Sequence, residues 1–359
     1  MDADGDRLAV GADNGSVYLF ESDTSLAGDP VLAQIIRSGS RLSDGQLIDL
    51  DTLDRAVDSI DFNGDGTLLA VGTFSFFGNP GEVALFSLDD TDFSAAPALS
   101  GIIGSRSGFD VLDSEDFGSA VSLNFAGDRL AVGAQRKDGL LSDEFSPGAV
   151  YLFDIDLDRP VDTVSLGQII EHGTILSGGD VLSLDSFSRF GGSVSLNDSG
   201  DRLAVGSPRN APGFSDGKID VGAVHLFELD AVDSAITPRL GQVLQNGSIL
   251  AGGETLILDN GDSTVFSDRL DTFGASVALD GTGSRLFVGA WGDDGASNES
   301  FDSGAVYQFD LNSADYSSSA SLNKIIGVGY VGNPGGVVNV EAGDQFGKSL
   351  AVTSNGDLL

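Results

Sequence analysis

Two short runs of alternating oxygen-bearing side chains are the part of this sequence best suited to chemistry. The runs are DFNGDG (61–66) and DADGD (2–6), and their donors are Asp61, Asn63, Asp65, Asp2, Asp4 and Asp6. Ca²⁺ takes six to eight oxygen ligands, and side chains at alternate positions can supply several of them from one loop. The same residue types also favour tight hairpin turns without any metal. The runs therefore predict either calcium sites or turns, and the choice stays open.

Three longer segments, 135–148, 207–222 and 291–304, place further acidic and aromatic residues in equivalent loops. The candidates for binding are Asp138, Asp143, Glu144, Asp216, Asp220, Trp291, Asp293, Asp294, Glu299 and Asp302. Because loops on a rigid scaffold usually carry recognition, they predict a face that binds a partner or an ion. Solvated acidic loops that keep a large protein in solution are the alternative. Other aromatic residues could either contact a partner or pack over the fold: Phe301, Phe74, Phe76 and Phe77.

Little in the sequence predicts catalysis. The chain has two histidines, His172 and His225, and no cysteine. His225 stands in an apolar strand pattern where a related segment has Tyr, so we expect a structural role. Ser-His-Asp chemistry needs a base beside a nucleophile, and no nucleophile-elbow motif occurs. Paired carboxylates could hydrolyse glycosides, but with 55 acidic residues such pairs are unavoidable.

These candidates are positioned by an internal repeat. The segment GDRLAVG occurs at 5–11, 127–133 and 200–206, with near copies at 66–72 and 283–289. Each is followed by a version of GAVYLF, at 15–20, 81–86, 148–153, 222–227 and 304–309. With the turn glycine as marker, the repeats begin at Gly5, Gly64, Gly127, Gly200, Gly283 and Gly356, at intervals of 59, 63, 73, 83 and 73 residues. Such a period suits a four-stranded propeller blade with long loops.

The third unit shows the pattern of strands best. Apolar and polar residues alternate in SAVSLNF (119–125), which predicts a half-buried strand before a tight turn at 126–128. The segments RLAVGA (129–134), GAVYLFDI (148–155) and SLGQIIEHG (165–173) predict the second, third and outer strands. Gly133 is expected to let neighbouring backbones approach closely. No stretch has a helical period with caps, so almost no helix is expected.

The sequence therefore predicts an all-β fold, a β-propeller of four-stranded antiparallel blades with about five blades. The blade units are 1–39, 53–105, 117–173, 190–247 and 273–329 of a single domain, 1–359. The last segment, 344–359, either completes the first blade and closes the ring or starts another blade of a longer array. Both alternatives stay open.

Composition limits the partners. The net charge is −37, with 46 Asp against 9 Glu, so the surface is expected to repel nucleic acid and anionic membrane. No run of eighteen apolar residues predicts membrane insertion. The N-terminal MDADGDRLAV lacks the basic and apolar parts of a signal peptide and begins inside a repeat. We therefore expect a monomeric module of a longer chain.

The segment FGSAVSLNFAGDRLAVGA…GAVYLF (117–153) resembles the FG-GAP repeats of integrin alpha-subunit propellers and, more closely, the related repeats of large bacterial surface proteins. The resemblance extends over nearly the whole chain and implies an extracellular or cell-surface propeller used in adhesion or as a scaffold. The family often carries a calcium loop of the form D-x-[DN]-x-D-G-x-x-D before the Val-Gly strand. Here the ninth position holds Leu69 or Val10, so the closing carboxylate is missing.

The function expected from residues and resemblance together is that of a non-enzymatic extracellular repeat domain, part of a larger secreted or surface protein. It would bind a protein or glycan through its loops, or act as a scaffold. Ca²⁺ is the one cofactor that the sequence suggests. The alternative is a five-bladed carbohydrate-active hydrolase with paired carboxylates in the axial channel, roughly 5–10 Å apart.

Overall fold

The computed structural model describes residues 1–22, 29–48, 57–73, 81–104, 115–140, 145–157, 164–209, 221–230, 233–258, 271–297, 299–330 and 340–356. Within these ranges the chain forms nineteen β-strands and no α-helix. Blade 1 contains β1 (Arg7–Gly11), β2 (Val17–Glu21) and β3 (Val31–Ile36). Blade 2 contains β4 (Ser59–Phe62), β5 (Leu68–Thr73), β6 (Glu82–Ser87) and β7 (Ala98–Ile103).

The remaining strands form three further blades in the same order. Blade 3 contains β8 (Phe117–Leu123), β9 (Arg129–Ala134), β10 (Ala149–Ile155) and β11 (Val164–Glu171). Blade 4 contains β12 (Ser193–Leu196), β13 (Arg202–Ser207), β14 (Ala223–Glu228) and β15 (Arg239–Gln245). Blade 5 contains β16 (Ser276–Leu279), β17 (Arg285–Ala290), β18 (Ala305–Asp310) and β19 (Ser321–Gly327).

Every blade is an antiparallel meander in which each strand pairs with its neighbours in sequence. The predicted five-bladed, all-β propeller is thereby confirmed, with three strands described in blade 1 and four in each of the others. The middle strands are the core: β9 is buried at every residue, whereas β11 begins part-exposed at the rim. The consecutive apolar residues of the Leu-Ala-Val-Gly segments follow from this burial, because adjoining blades cover both faces of the strand.

The Val-Gly and Phe-Gly pairs face each other between neighbouring blades. A Cβ built on Gly206 would lie 2.0 Å from the carbonyl oxygen of Gly274 in the next unit. The same contact, at 1.9 to 2.2 Å, recurs at the Val-Gly positions of blades 2, 3 and 5, Gly72, Gly133 and Gly289. The close approach predicted for Gly133 is confirmed. Only a residue without a side chain allows blades to pack this closely.

The phenylalanine of the Phe-Gly pair anchors each first strand. Phe117 packs edge-on against Tyr151 with ring centroids 5.1 Å apart, and Phe273 packs against Tyr307 in the same way at 5.3 Å. In blade 4, Phe190 packs against His225 at 5.2 Å, so this histidine does replace a structural tyrosine. All three phenylalanines are fully buried. Edge-to-face aromatic pairs of this kind add to the stability obtained from burial alone.

The first hairpin turn of each blade is closed by an Asn or Asp side chain. The side-chain Oδ1 of Asn63 accepts the N–H of Leu68 at 2.7 Å, and Oδ1 of Asp2 accepts the N–H of Arg7 at 3.1 Å. Asp2 is therefore equivalent to Asn63 and not to Asp61. The turn glycine with positive φ in blade 2 is Gly66, so the marker placed at Gly64 in the sequence was wrong by two residues.

These turns form a continuous row. The N–H of Ala3 donates to the carbonyl of Gly64, and equivalent bonds link each turn to the next along the chain as far as the bond from Gly281 to Ser354, at 3.0 Å. At the other end, a Cβ built on Gly5 would lie 3.7 Å from Cγ2 of Thr353. The segment 344–356 therefore lies between blade 5 and blade 1.

The arginine of the repeated Asp-Arg-Leu or Ser-Arg-Leu segment holds neighbouring blades together. Nη1 of Arg129 donates to the carbonyl of Gly200 at 2.8 Å, and Nη1 of Arg7 donates to that of Gly66 at 3.0 Å. Nη2 of Arg202 donates to the carbonyl of Ser313 at 2.9 Å. Blade 2 has Leu68 at this position. Hydrogen bonds from charged donors to buried carbonyls are worth more than neutral ones.

Candidate binding face

The meander divides the connections between two faces of the propeller. The first hairpin turns and the links between third and fourth strands lie at one end of the blades, which we call the turn face. The loops between second and third strands, and the connectors from one blade to the next, lie at the other end, the loop face. Backbone bonds between these segments confirm their proximity, as from the N–H of Phe187 in a connector to the carbonyl of Phe145 in a loop, at 2.8 Å.

The predicted calcium donors of blade 2 lie on the turn face, where they already have protein partners. Asp61 Oδ2 accepts the N–H of Leu123 in blade 3 at 2.8 Å, which makes it a link between blades. Asp65 Oδ1 accepts the hydroxyl of Thr67 at 2.6 Å and the side-chain N–H of Asn63 at 2.7 Å. A cation here would have to replace these bonds. Among the described residues no group of three or more acidic or histidine side chains converges as a metal site. Calcium binding remains a prediction.

The second predicted set is partly buried at the start of the chain. Burial, followed by a hydrogen bond with Asp6, raises the pKa of Asp2 to about 6. Asp2 is 4% exposed and also caps the N–H groups of Gly5 and Arg7. Asp4 is exposed. A cation at Asp2 and Asp6 would compete with a proton, so any binding there should strengthen as pH rises through 6.

Asp293 in the blade 5 loop is buried rather than available to a partner. Its carboxylate accepts the hydroxyls of Tyr307, at 2.7 Å, and Tyr330, at 2.9 Å, and the N–H of Gly295, at 2.8 Å. Burial raises the pKa of Asp293 in spite of these donors. Burial of the Tyr307 hydroxyl, followed by the negative charge of Asp293, raises the pKa of Tyr307 well above the usual value. This candidate organises the loop from within.

The other predicted residues of this loop differ in their exposure. Asp294 Oδ1 accepts the N–H of Asp302 at 2.7 Å, which closes the loop. Glu299 is exposed, whereas Trp291 is half-buried. In the blade 3 loop, Asp138 is exposed, and its Oδ1 accepts the N–H of Ser146 at 2.8 Å. Seven further candidates from the sequence lie outside the described residues: Asp143, Glu144, Asp216, Asp220, Phe74, Phe76 and Phe77.

Blade 3 has its own buried polar group, which the sequence reasoning missed. The hydroxyl of Tyr151 donates to Glu115 at 3.0 Å, and Lys137 Nζ lies 3.1 Å from the same carboxylate. Glu171 is 3.9 Å from that ammonium, and burial raises its pKa. Glu115 stands two residues before Phe117, and its spacing from the Phe-Gly pair was the sequence signal that could have indicated this buried group. The cluster is enclosed, so it stabilises the loop base rather than offering a binding site.

Three arginines converge where blades 3 and 4 meet on the loop face. Arg136 Nε lies 3.1 Å from Asp116 Oδ2, and 51% of the Arg136 side chain is exposed. Burial, then the nearby charges of Arg209 and Arg136, lower the pKa of Arg189, while Asp116 acts in the opposite direction. Among the described residues, neither Arg189 nor Arg209 forms an ion pair. The sequence reasoning missed this group because its members come from different repeats.

Exposed apolar side chains lie beside these arginines. Phe145 is 68% exposed, Leu140 63% and Phe187 54%. Phe187 and Arg189 also have positive φ, at 62° and 58°. The residue before each Phe-Gly pair shares this conformation, as at Asp116, so at Arg189 it belongs to the fold. At Phe187 it has no such explanation, and strained non-glycine backbone is a marker of functional loops.

The two histidines are structural in position. His225 is 4% exposed, and burial lowers its pKa to about 4, so the ring is neutral. It borders a cavity of about 300 Å³ between the blade 3 connector and blade 4. His172 Nδ1 accepts the N–H of Leu184 at 3.0 Å, which holds the connector. No described helix is long and apolar enough to cross a membrane.

The sequence of blade 5 matches a known repeat. The family model of the FG-GAP repeat matches residues 268–309, which extend from before the Phe273-Gly274 pair to the end of GAVYQF. The match includes β16, β17 and most of β18, the strands whose facing glycines and buried phenylalanine join neighbouring blades. The predicted resemblance is confirmed for this blade: the chain is a β-propeller whose fifth blade matches the FG-GAP repeat. No curated protein matches the chain.

Many solved structures match this chain in fold. Three of them are described here, and each has low sequence identity to this chain. A functionally unknown protein from Desulfotomaculum acetoxidans is 13% identical, with 91% of this chain and 68% of that chain covered and a TM-score of 0.46. Sqt1 of Chaetomium thermophilum, bound to the N-terminus of ribosomal protein L10, is 15% identical, with coverages of 89% and 58% and a TM-score of 0.45. The Cps50 (Swd1) propeller of Myceliophteria thermophila is 13% identical, with coverages of 90% and 84% and a TM-score of 0.42. Similarity at this level says nothing about what this chain binds.

Proposed function

We propose that this chain is a non-enzymatic binding and scaffold domain of a larger secreted or cell-surface protein, which engages a protein or glycan through its loop face. One observation carries the proposal: the two faces use their polar residues differently. On the turn face, Asp2, Asn63 and Asp65 are engaged in closing turns. On the loop face, large apolar and cationic side chains remain exposed, as at Phe145 and Arg136.

The residues nearest the propeller axis also support a scaffold. The next-to-last positions of the four described inner strands are Asp61, Ser122, Ser195 and Ala278. Ser122 and Ser195 accept N–H groups from the next blade at 3.0 and 2.9 Å, and Asp61 does the same. Glycoside hydrolysis needs two carboxylates converging about 5–10 Å apart. These four described positions supply one.

The extracellular location rests on the FG-GAP resemblance and on the acidic surface, which is expected to be tolerated best where salt or divalent cations screen it. The binding role rests on the general use of loops for recognition on rigid folds. Calcium at the turn face would stabilise the row of turns and would not itself contact the ligand.

The experiment is a binding screen of the purified chain against glycan and extracellular-protein arrays, with and without calcium. A ligand held by the loop face should be lost in variants of that face, such as Phe145→Ser, and retained in turn-face variants, such as Asp65→Ser. Ligands that respond only to the turn-face variant would contradict the proposal. Turnover of chromogenic glycosides that is abolished by Asp61→Asn would support the hydrolase instead.

A further inference from the structure

Two exposed phenylalanines and three arginines of blades 3 and 4, of which Arg189 is half-buried, lie in adjacent segments of the loop face. We call this group of residues the Phe–Arg surface and define it by Phe145, Phe187, Arg136, Arg189 and Arg209. Two backbone bonds bring its segments together: Phe187 N–H to the Phe145 carbonyl at 2.8 Å, and Arg209 N–H to the Ser188 carbonyl at 3.2 Å. Residues from the blade 3 loop, the connector and the blade 4 loop are thus adjacent.

Three arginines lie close together on this surface of an acidic molecule. The net charge of the chain is −37, with only 18 basic residues, yet Arg136 and Arg209 both lie near Arg189, and the buried carboxylate of Asp116 lies near Arg136 and Arg189. Arg136 is bound to Asp116 through Nε, and no described residue forms an ion pair with Arg189 or Arg209. Guanidinium groups present paired N–H donors that match a carboxylate. The surface therefore offers guanidinium donors that no residue in the described part of the chain engages in an ion pair.

The same surface is specific to one junction of the propeller. Arg136 in blade 3 and Arg209 in blade 4 occupy equivalent positions, because the N–H of each donates to the carbonyl of the residue two before the Phe-Gly pair. In blade 5 the residue that makes this bond is Gly292. The position of Arg189 is held by Thr272 in blade 5. Blade 5 folds without an arginine at either position, so the fold does not require these arginines.

We propose that the Phe–Arg surface is the docking site for an acidic protein segment with apolar side chains. The phenylalanines would bury the apolar residues of this segment, and Arg189 and Arg209 would pair with its carboxylates. Aromatic and arginine side chains are the residues that dominate binding energy at protein interfaces. The inference rests on the proposed binding role of the loop face and specifies the chemistry of its partner.

The test uses the full chain and three short synthetic peptides, with fluorescence anisotropy as the readout. The acidic peptide alternates Asp or Glu with Leu and Trp; the basic peptide has Lys in place of each acid; the polar peptide has Ser in place of each apolar residue. We expect the acidic peptide to bind, and both others to bind at least about tenfold more weakly. Equal affinities for the three peptides would overturn the proposal.

Variants test the location. Phe145→Ser combined with Phe187→Asn, and separately Arg189→Gln combined with Arg209→Gln, should each weaken the acidic peptide by about tenfold or more. Asn is chosen at 187 because it tolerates positive φ. The matched controls are Ile257→Ser, in the connector after blade 4, and Arg41→Gln, in the connector after blade 1. They change an exposed apolar residue and an exposed arginine outside the Phe–Arg surface and should leave binding unchanged.

Folding and function are separated by two further measurements. Unchanged melting temperatures show that the surface variants fold, and Arg209→Glu should increase affinity for the basic peptide, which no folding defect could do. If the surface variants bind the acidic peptide like the unaltered chain, this inference is wrong. Should an array ligand still depend on other loop-face residues, the proposed function stands without it.

Discussion

The facing glycines allow a sharp test of how the blades are joined. Replacing Gly206 with Ala would place a Cβ 2.0 Å from the carbonyl oxygen of Gly274 and 2.3 Å from Oγ of Ser193. The two blades must separate by about 1 Å before such a contact is tolerable, because the Gly274 carbonyl is backbone and cannot rotate away as a side chain could. Overpacking of this kind costs about 1–3 kcal/mol. The separation would also weaken the bond of 2.8 Å from Ser193 to Gly274, worth about 1 kcal/mol.

The expected destabilisation of Gly206→Ala is therefore about 3 kcal/mol. For a chain of this size, each kcal/mol lowers the melting temperature by roughly 1.3 °C, so a decrease of about 4 °C is expected in differential scanning calorimetry. The matched control is Gly252→Ala, where φ is not in the left-handed region and the nearest atom to a Cβ is a flexible Glu254 side chain at 3.8 Å. This variant should melt at or slightly above the original temperature.

An intermediate case comes from blade 1. A Cβ on Gly11 would meet the side chain of Val57 at 2.8 Å, and a side chain can move where backbone cannot. Gly11→Ala should therefore cost less than Gly206→Ala. If Gly206→Ala melted within about 1 °C of Gly252→Ala, the idea that facing glycines set the spacing of the blades would be refuted.

Three further predictions follow from other contacts. Arg129→Leu should destabilise the fold by about 2–3 kcal/mol in urea unfolding, because it leaves buried carbonyls of blade 4 without donors, whereas Arg41→Leu at an exposed site should change little. Burial raises the pKa of Asp61 to about 6, although the N-terminal ammonium acts against it. The Asp61 carboxyl group therefore stabilises the fold fully below pH 3.8, and this stabilisation is lost as pH rises through 6. The loss amounts to up to about 2 kcal/mol of unfolding free energy after discounting for partial exposure, and Asp61→Asn should remove it. If the unfolding free energy of this variant changed with pH in parallel with that of the unaltered chain, the prediction would be wrong. Millimolar calcium should raise the melting temperature relative to excess EDTA, and identical melting curves would count against calcium at the turns.

The strands could be read from the sequence because their signals are local. Alternation in 119–125 and the consecutive apolar residues of 129–134 depend on nearest neighbours and burial, and both strands are present. The role of Gly133 could also be predicted, because a glycine that recurs at the same place in each repeated strand indicates a close approach of neighbouring backbones. The five-bladed propeller followed from the period of the repeat.

The alignment of the two acidic runs could not be read in the same way. Asp2 and Asp61 both open a run of alternating oxygens, yet Asp2 closes a turn while Asp61 reaches across to Leu123 of the next blade. The hydrogen bond of the turn decides the register, and sequence spacing alone does not reveal which side chain makes it. For the same reason Asp293 looked like a ligand for a partner but is bound by Tyr307 and Tyr330.

The sequence by itself determined the repeated blade and its strands, since strand pattern and turn residues act over a few positions. Only the tertiary structure decided which polar and aromatic residues are consumed within the fold and which remain exposed. Phe145, Phe187 and Arg209 are far apart in the chain and come together because adjoining blades pack face to face around a common axis. The Phe–Arg surface is a consequence of that packing, which no single repeat encodes.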